Sequence, residues 1–140
     1  MSGHVALSYA FVAIGGAAGA MARFALTVFL QRGSISIPWG TLTTNLLGCF
    51  LIGIIAQLVA QSSWFNEAGW IEDQYRLLFA VGFCGSFTTL SAFVLEINTL
   101  LQRNDLFGAC LYLALTFVGA FVTFFAGVLL MKAIFAVNGN

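Results

Sequence analysis

Four long stretches without a charged side chain constrain the fold of this sequence more than any other feature. They run over residues 5–22, 33–66, 77–95 and 106–131. A helix needs about 20 apolar residues to cross the hydrocarbon core of a bilayer. Only 7% of the 140 residues are charged and 61% are hydrophobic, whereas about 25% of a soluble domain is charged. We therefore predict an all-α, multi-pass membrane protein with a single domain over residues 1–140.

The charge positions and turn residues define the expected helices. We predict transmembrane helices at about residues 5–30, 39–61, 74–101 and 106–132, joined by short connections. Small residues that permit close helix packing lie in the first helix, where Gly15 and Gly19 are spaced four apart. The same pattern fits packing within one chain or packing between two copies, and the sequence leaves both open.

The positive charges give almost no preference for one orientation in the membrane. With four helices, Arg76 and Lys132 lie on one side and Arg32 and Arg103 on the other, while Arg23 lies inside the first helix. Lys and Arg in loops set the orientation of membrane proteins. A balanced chain can insert both ways, which predicts dual topology and an antiparallel homodimer. A fixed orientation set by other features is the alternative.

The third helix contains a polar stretch that is unusual at membrane depth. Gly82 and Gly85 precede Ser86, Thr88 and Thr89, and glycine, serine and β-branched threonine all weaken a helix. We predict a break here. Freed backbone groups in a membrane must be satisfied by protein, water or ions, so carbonyls could bind a cation and amides and hydroxyls an anion. Alternatively, the hydroxyls bond back to their own helix.

Other polar or aromatic side chains lie near this stretch or on neighbouring helices. A phenylalanine ring has a positive edge, so Phe87 and Phe93 could face an anion, or they could simply face lipid. Asn45 offers an amide in the second helix for a pore or for an interhelical hydrogen bond. Arg23 is either a snorkelling anchor or a positive entrance, and Glu96 fits the interfacial end of the third helix.

Several function classes are not supported by the composition. The net charge is zero, so nothing indicates nucleic acid binding. No carboxylate pair lies within a helix, and no base accompanies the serines and threonines, so we predict that the protein is not an enzyme. The three cysteines lie in apolar stretches without metal-ligand spacing and are expected to be buried thiols.

Motifs in three helices resemble the Fluc (CrcB) family of bacterial fluoride channels. The first helix contains Gly-Gly-x-x-Gly-x-x-x-Arg from Gly15 to Arg23. The second contains Pro-Trp-Gly-Thr-Leu-x-x-Asn-Leu-x-Gly from Pro38 to Gly48. The third contains Gly-Phe-Cys-Gly-x-Phe-Thr-Thr-x-Ser-x-Phe-x-x-Glu from Gly82 to Glu96. The resemblance covers nearly the whole chain.

This resemblance implies an antiparallel dual-topology homodimer with two fluoride pores in the bacterial inner membrane. Such a channel exports cytoplasmic fluoride passively and confers fluoride resistance. It also implies a structural Na⁺ at the dimer interface, held by the backbone carbonyls of Gly85 and Thr88. The positions that match or neighbour the family's pore residues are Arg23, Asn45, Phe87, Thr89, Leu90, Ser91, Phe93, Tyr112 and Thr116.

The sequence also departs from the family pattern. Leu90 replaces the first of two pore phenylalanines, so Phe93 alone remains of that pair, and Phe87 could compensate for the missing ring. Ser86 replaces a glycine, Ala92 replaces a threonine, and Ala120 replaces a hydroxyl residue. These differences leave open a degenerate, non-conducting member or one that needs a second gene product.

A small multidrug transporter is a further alternative, because that class also has four helices and dual topology. It requires a membrane-embedded carboxylate in the first helix. The first predicted helix here contains Arg23 and neither Asp nor Glu, which argues against that class.

Overall fold

The computed structural model describes residues 2–30, 37–61 and 70–138. All its regular elements in these ranges are helices. In chain order they are α1 (Ser2–Leu30), α2 (Trp39–Gln61), α3 (Trp70–Tyr75), a π-helical segment (Arg76–Cys84), α4 (Gly85–Phe87), α5 (Leu90–Gln102) and α6 (Leu106–Asn138).

Four helical stretches are long and apolar enough to cross a membrane. These spans are Gly3–Leu30, Trp39–Gln61, Asp73–Gln102 and Leu106–Val137, which we call the first to fourth spans. The prediction of an all-α, multi-pass membrane protein is confirmed. The final helix continues past the expected end at residue 132 to Asn138, because a charged side chain ends an apolar stretch without interrupting backbone hydrogen bonds. Arg32, used in the charge count, lies outside the described residues.

Glycines allow the spans to approach within backbone contact. A Cβ atom at Gly15 would overlap the carbonyl oxygen of Leu78, and one at Gly19 would overlap that of Phe83. The first span therefore packs tightly on the third within one chain. Gly53 and Gly127 make the same kind of close approach between the second and fourth spans.

The third span is interrupted near its middle. Thr88 has φ −85° and ψ 156°, and Thr89 has φ −152° and ψ 119°. Both are extended conformations, and they separate α4 from α5. We call Thr88–Thr89 the interruption. It lies inside the Gly82–Thr89 stretch whose composition weakens a helix.

Candidate functional site

Asn45 of the second span satisfies the backbone at the interruption. The Thr89 N–H donates to Asn45 Oδ1 at 2.8 Å, and Asn45 Nδ2 donates to the Thr89 carbonyl at 3.2 Å. The Thr89 N–H has no helical partner, and at membrane depth water is not freely available to pair with it. One amide side chain therefore fixes the extended residue and ties the second span to the third.

The threonine hydroxyls hold the two helix ends on either side. Thr88 Oγ1 donates to the Cys84 carbonyl at 2.9 Å. Thr89 is the N-cap of α5, because its Oγ1 accepts from the Ala92 N–H at 3.3 Å. Thr89 Oγ1 and Ser91 Oγ also lie 3.2 Å apart. Threonine is a favourable N-cap residue. Thr88 therefore follows the end of α4, and Thr89 caps the start of α5.

Arg23 reaches the other side of the interruption from the first span. Its Nε donates to the Ser86 carbonyl at 3.1 Å. Carbonyls in the last turn of a helix lose their intrahelical partners, and this guanidinium supplies one. Arg23 therefore lies partly buried against α4, rather than lining the cavity described next.

A cavity of about 320 Å³ lies beside the interruption. Its polar lining comes mainly from Asn45, Thr88, Thr89 and Thr116. Its remaining lining residues are Gly48, Cys49, Ile52, Leu90, Phe93, Phe117, Ala120 and Phe124. The second, third and fourth spans thus contribute to one chamber with a predominantly apolar wall and a few polar groups. This composition is typical of a small-ligand site.

Hydrogen-bond donors remain free at the cavity. An asparagine amide has two donor hydrogens, and Asn45 uses one of them on Thr89. A hydroxyl has one donor hydrogen, so the contact between Thr89 and Ser91 engages only one of their two hydrogens. The Thr116 hydroxyl donates to the Tyr112 carbonyl at 2.8 Å. Among the described residues, one amide hydrogen of Asn45 and one hydroxyl hydrogen of the Thr89–Ser91 pair, at or beside the cavity, therefore remain available for an acceptor.

The cavity combines an uncharged lining with the N-terminus of a helix. None of its lining residues is an aspartate, glutamate, lysine or arginine. Leu90, in the lining, is the first residue of the 13-residue helix α5, so the helix N-terminus lies at the cavity. The first N–H groups of a helix lack intrahelical partners and carry partial positive charge. The cavity thus offers donors and a dipole without a full charge.

A second polar cluster joins Glu96 to two hydroxyls from neighbouring spans. Thr41 Oγ1 donates to Glu96 Oε1 and Tyr112 Oη to Glu96 Oε2, each at 2.6 Å. Tyr112 is fully buried and Thr41 nearly so. We call Thr41, Glu96 and Tyr112 the carboxylate cluster. The sequence analysis placed Glu96 at a helix end and did not identify Thr41 as its partner. Thr41 could have been found from its spacing to Thr44 and Asn45, which places the three polar side chains along one face of the second helix.

Aromatic rings surround Phe93 at the boundary of the two polar regions. Its ring centroid lies 5.1 Å from that of Tyr112 and 6.1 Å from that of Phe117. Phe93 is only 5% exposed. Phe87 instead stacks on Phe83, with centroids 5.5 Å apart, and is not among the cavity-lining residues.

The structure brings some of the predicted site residues together and separates others. Five of the predicted anion-site residues line the cavity, namely Asn45, Thr89, Leu90, Phe93 and Thr116. Ser91 contacts that group through Thr89. Arg23, Phe87 and Tyr112 lie outside the cavity lining. Of the residues predicted to hold Na⁺, Gly85 begins α4 and is exposed, while Thr88 lies in the interruption.

Comparison with known proteins identifies relatives over most of the chain. Residues 10–128 match the family described as CrcB-like protein, Camphor Resistance (CrcB). A fluoride-specific ion channel FluC of Chlorobium phaeobacteroides (strain BS1) is 42% identical over 121 residues, which cover 86% of this chain and 90% of the relative. Proteins of the same name from Francisella tularensis subsp. tularensis (strain FSC 198) and Rhizobium etli are each 37% identical over 124 residues. Those matches cover 89% and 88% of this chain, and 94% of each relative.

Proposed function

The chain belongs to the CrcB family, and we propose that it is a fluoride-specific ion channel that lets fluoride leave the cytoplasm passively. It is not an enzyme. The observation that carries the proposal is the uncharged cavity at the interruption, where the Asn45 amide and the N-terminus of α5 meet the Phe93 ring. The names of the relatives agree with this chemistry.

Weak ligands suit an anion that must pass through rather than stay bound. Conduction requires binding strong enough for entry and weak enough for exit. Asn45 and the pair of Thr89 and Ser91 each offer one neutral donor hydrogen. The Phe93 ring adds a positive edge without a full charge. Together these groups can replace part of the hydration shell of a small anion without trapping it.

An antiparallel homodimer in the bacterial inner membrane is part of the same proposal. In one chain Gly85 and Ser91, on either side of the interruption, are exposed, and Leu90 is 69% exposed. Irregular backbone is tolerated at membrane depth only where protein or a water-filled cavity covers it. A second copy packed over this face would provide that cover, and the balanced positive charges allow the copy to be inverted. Such a dimer would have two pores.

The proposal also includes a structural Na⁺ between the two copies, at this same face. The carbonyls at the end of α4 have lost the N–H partners that a continuous helix would supply, because Thr89 bonds to Asn45 instead. Carbonyl oxygens are suitable ligands for hard cations. The carbonyls of Gly85 and Thr88 would hold the ion, which would supply positive charge where two helix C-termini approach each other.

Fluoride efflux from liposomes tests the proposed function directly. Purified protein is reconstituted with internal potassium fluoride, and efflux is followed with a fluoride electrode after valinomycin is added. We expect rapid efflux that stops when the membrane potential opposes it, with little chloride movement under matched conditions. Phe93→Ile should slow fluoride efflux, and protein-free liposomes provide the baseline.

Other outcomes would identify a different function. Equal fluoride and chloride rates would contradict selectivity. Absence of efflux from a folded protein, with efflux restored by a second gene product, would identify a partner-dependent family member. Proton-coupled export of a quaternary ammonium compound would indicate a multidrug transporter.

A further inference from the structure

Three phenylalanines line the cavity, but they differ in how much of each ring is accessible. Phe93 is 5% exposed and its neighbours cover it, whereas Phe117 of the fourth span is 52% exposed. Phe124 pairs with Phe125 at an interplanar angle of 80°. Phe117 is therefore the ring that combines a position in the cavity wall, contact with Phe93 and a large accessible surface.

The geometry of the Phe93–Phe117 pair determines which parts of the rings an anion can meet. Their centroids are 6.1 Å apart and their planes are at 76°. In such an arrangement the positive edge of one ring lies against the negative face of the other. One repulsive face is thereby covered, and the outer edges of the pair remain available. An anion in the cavity would meet ring edges rather than a bare negative face.

Leu90 contributes no such edge to the cavity wall. It lines the same cavity as Phe93 and Phe117 but is aliphatic. Phe87 does not replace it, because Phe87 stacks on Phe83 and is not among the lining residues. Phe117 follows directly after Thr116, which also lines the cavity but whose hydroxyl donates to the Tyr112 carbonyl. The fourth span therefore contributes an accessible aromatic ring to the cavity wall.

We infer that Phe117 is an anion-selectivity residue of this chain and forms, with Phe93, an aromatic pair shared between the third and fourth spans. The inference rests on the proposed fluoride channel function. It assigns the second aromatic edge of the cavity to the fourth span. Loss of the Phe117 ring should then affect fluoride passage more than chloride passage.

The test compares fluoride and chloride efflux from liposomes for the wild type and substitutions at Phe117. Phe117→Leu keeps apolar volume and removes the edge, so fluoride efflux should fall about two- to tenfold, the factor typical of an aromatic contact, and the fluoride-to-chloride ratio should fall with it. Phe117→Tyr keeps the ring and should retain selectivity. Phe121→Leu is the matched control, because Phe121 is an exposed ring on the same helix outside the cavity lining.

A rescue variant separates selectivity from folding. Leu90→Phe in the Phe117→Leu background returns a ring to the same cavity and should recover most of the lost ratio. Unchanged rates and an unchanged ratio in Phe117→Leu, in a wild type that conducts fluoride, would overturn this inference alone. A folded wild type that moves no fluoride would overturn the proposed function and this inference with it. An equal loss in Phe121→Leu would also overturn the assignment to Phe117.

Discussion

The two polar regions of this protein use similar side chains to opposite effect. At the cavity, Asn45 and the Thr89–Ser91 pair keep donor hydrogens that no other group within residues 2–30, 37–61 and 70–138 engages. In the carboxylate cluster, the hydroxyls of Thr41 and Tyr112 both donate to Glu96 at 2.6 Å. Access differs as well, because Asn45 faces a cavity while Tyr112 is fully buried.

This difference shows that polarity at membrane depth does not by itself indicate an ion site. A buried polar group is costly unless it is hydrogen-bonded, and the carboxylate cluster meets that requirement internally. At the cavity, hydrogen bonds satisfy the interrupted backbone, but some donor hydrogens of neutral side chains remain unbonded. Only the cavity has donors left for a passing anion, whereas the carboxylate cluster holds three spans together.

Asn45→Asp should give the largest change in fluoride efflux. It would place a carboxylate at the cavity, as Glu96 already does in the carboxylate cluster, and so remove the main difference between the two regions. The carboxylate can still accept from the Thr89 N–H but cannot donate to its carbonyl, and it places negative charge at the cavity. Repulsion of about 3 kcal/mol between like charges would slow fluoride about a hundredfold. Liposome efflux measures the change. Asn98→Asp, at an exposed position of the third span, is the charge-matched control, and an equally slow control would refute the local explanation.

Glu96→Ala should produce the largest loss of stability. It leaves the hydroxyls of Thr41 and Tyr112 without their acceptor, and each unsatisfied buried group costs about 1–3 kcal/mol. Tyr112→Phe removes one donor only and should cost about 1–2 kcal/mol. Thermal unfolding in detergent would measure both, with the exposed neighbour Leu95→Ala as control. We expect fluoride efflux per folded protein to fall less than in Asn45→Asp; the reverse order would place the cluster in the ion path.

Gly48→Ala should give the smallest effect of the three, and it tests whether the geometry of the interruption affects fluoride efflux. The added methyl group would overlap the Thr88 methyl group, and overpacking of this kind costs about 1–3 kcal/mol. Fluoride efflux should fall several-fold because Thr88 lines the cavity. Adding Thr88→Ser removes the opposing methyl group, keeps the hydroxyl that bonds to Cys84, and should restore efflux. No recovery in the double variant would show that Gly48 acts through another contact.

Much of the architecture was accessible from the sequence because membrane insertion depends on local properties. Uncharged stretches predicted four spans, and the motifs around Asn45 and Phe93 indicated the family. The packing partner of Gly15 and Gly19 was not accessible, since a small-residue motif is the same within a chain and between chains. The structure places both glycines against the third span of the same chain.

The site was predicted less completely, because its function depends on contacts between distant segments. The sequence predicts only that Glu96 lies near the end of a helix. The fold brings its carboxylate to Thr41, 55 positions away in sequence, and to Tyr112. Phe87 and Phe93 are equivalent as sequence letters, but one stacks on Phe83 and the other lines the cavity. Residue type could not distinguish them.

The sequence alone determined that this chain has four stretches long and apolar enough to cross a membrane and that the third is weakened between Gly82 and Thr89. Hydropathy and helix propensity act over neighbouring residues, so both features can be identified without a fold. The tertiary structure decided which donors are engaged and which remain free. A hydrogen bond such as that from Thr89 to Asn45 joins residues 44 positions apart, and only packing of the second span on the third sets that distance.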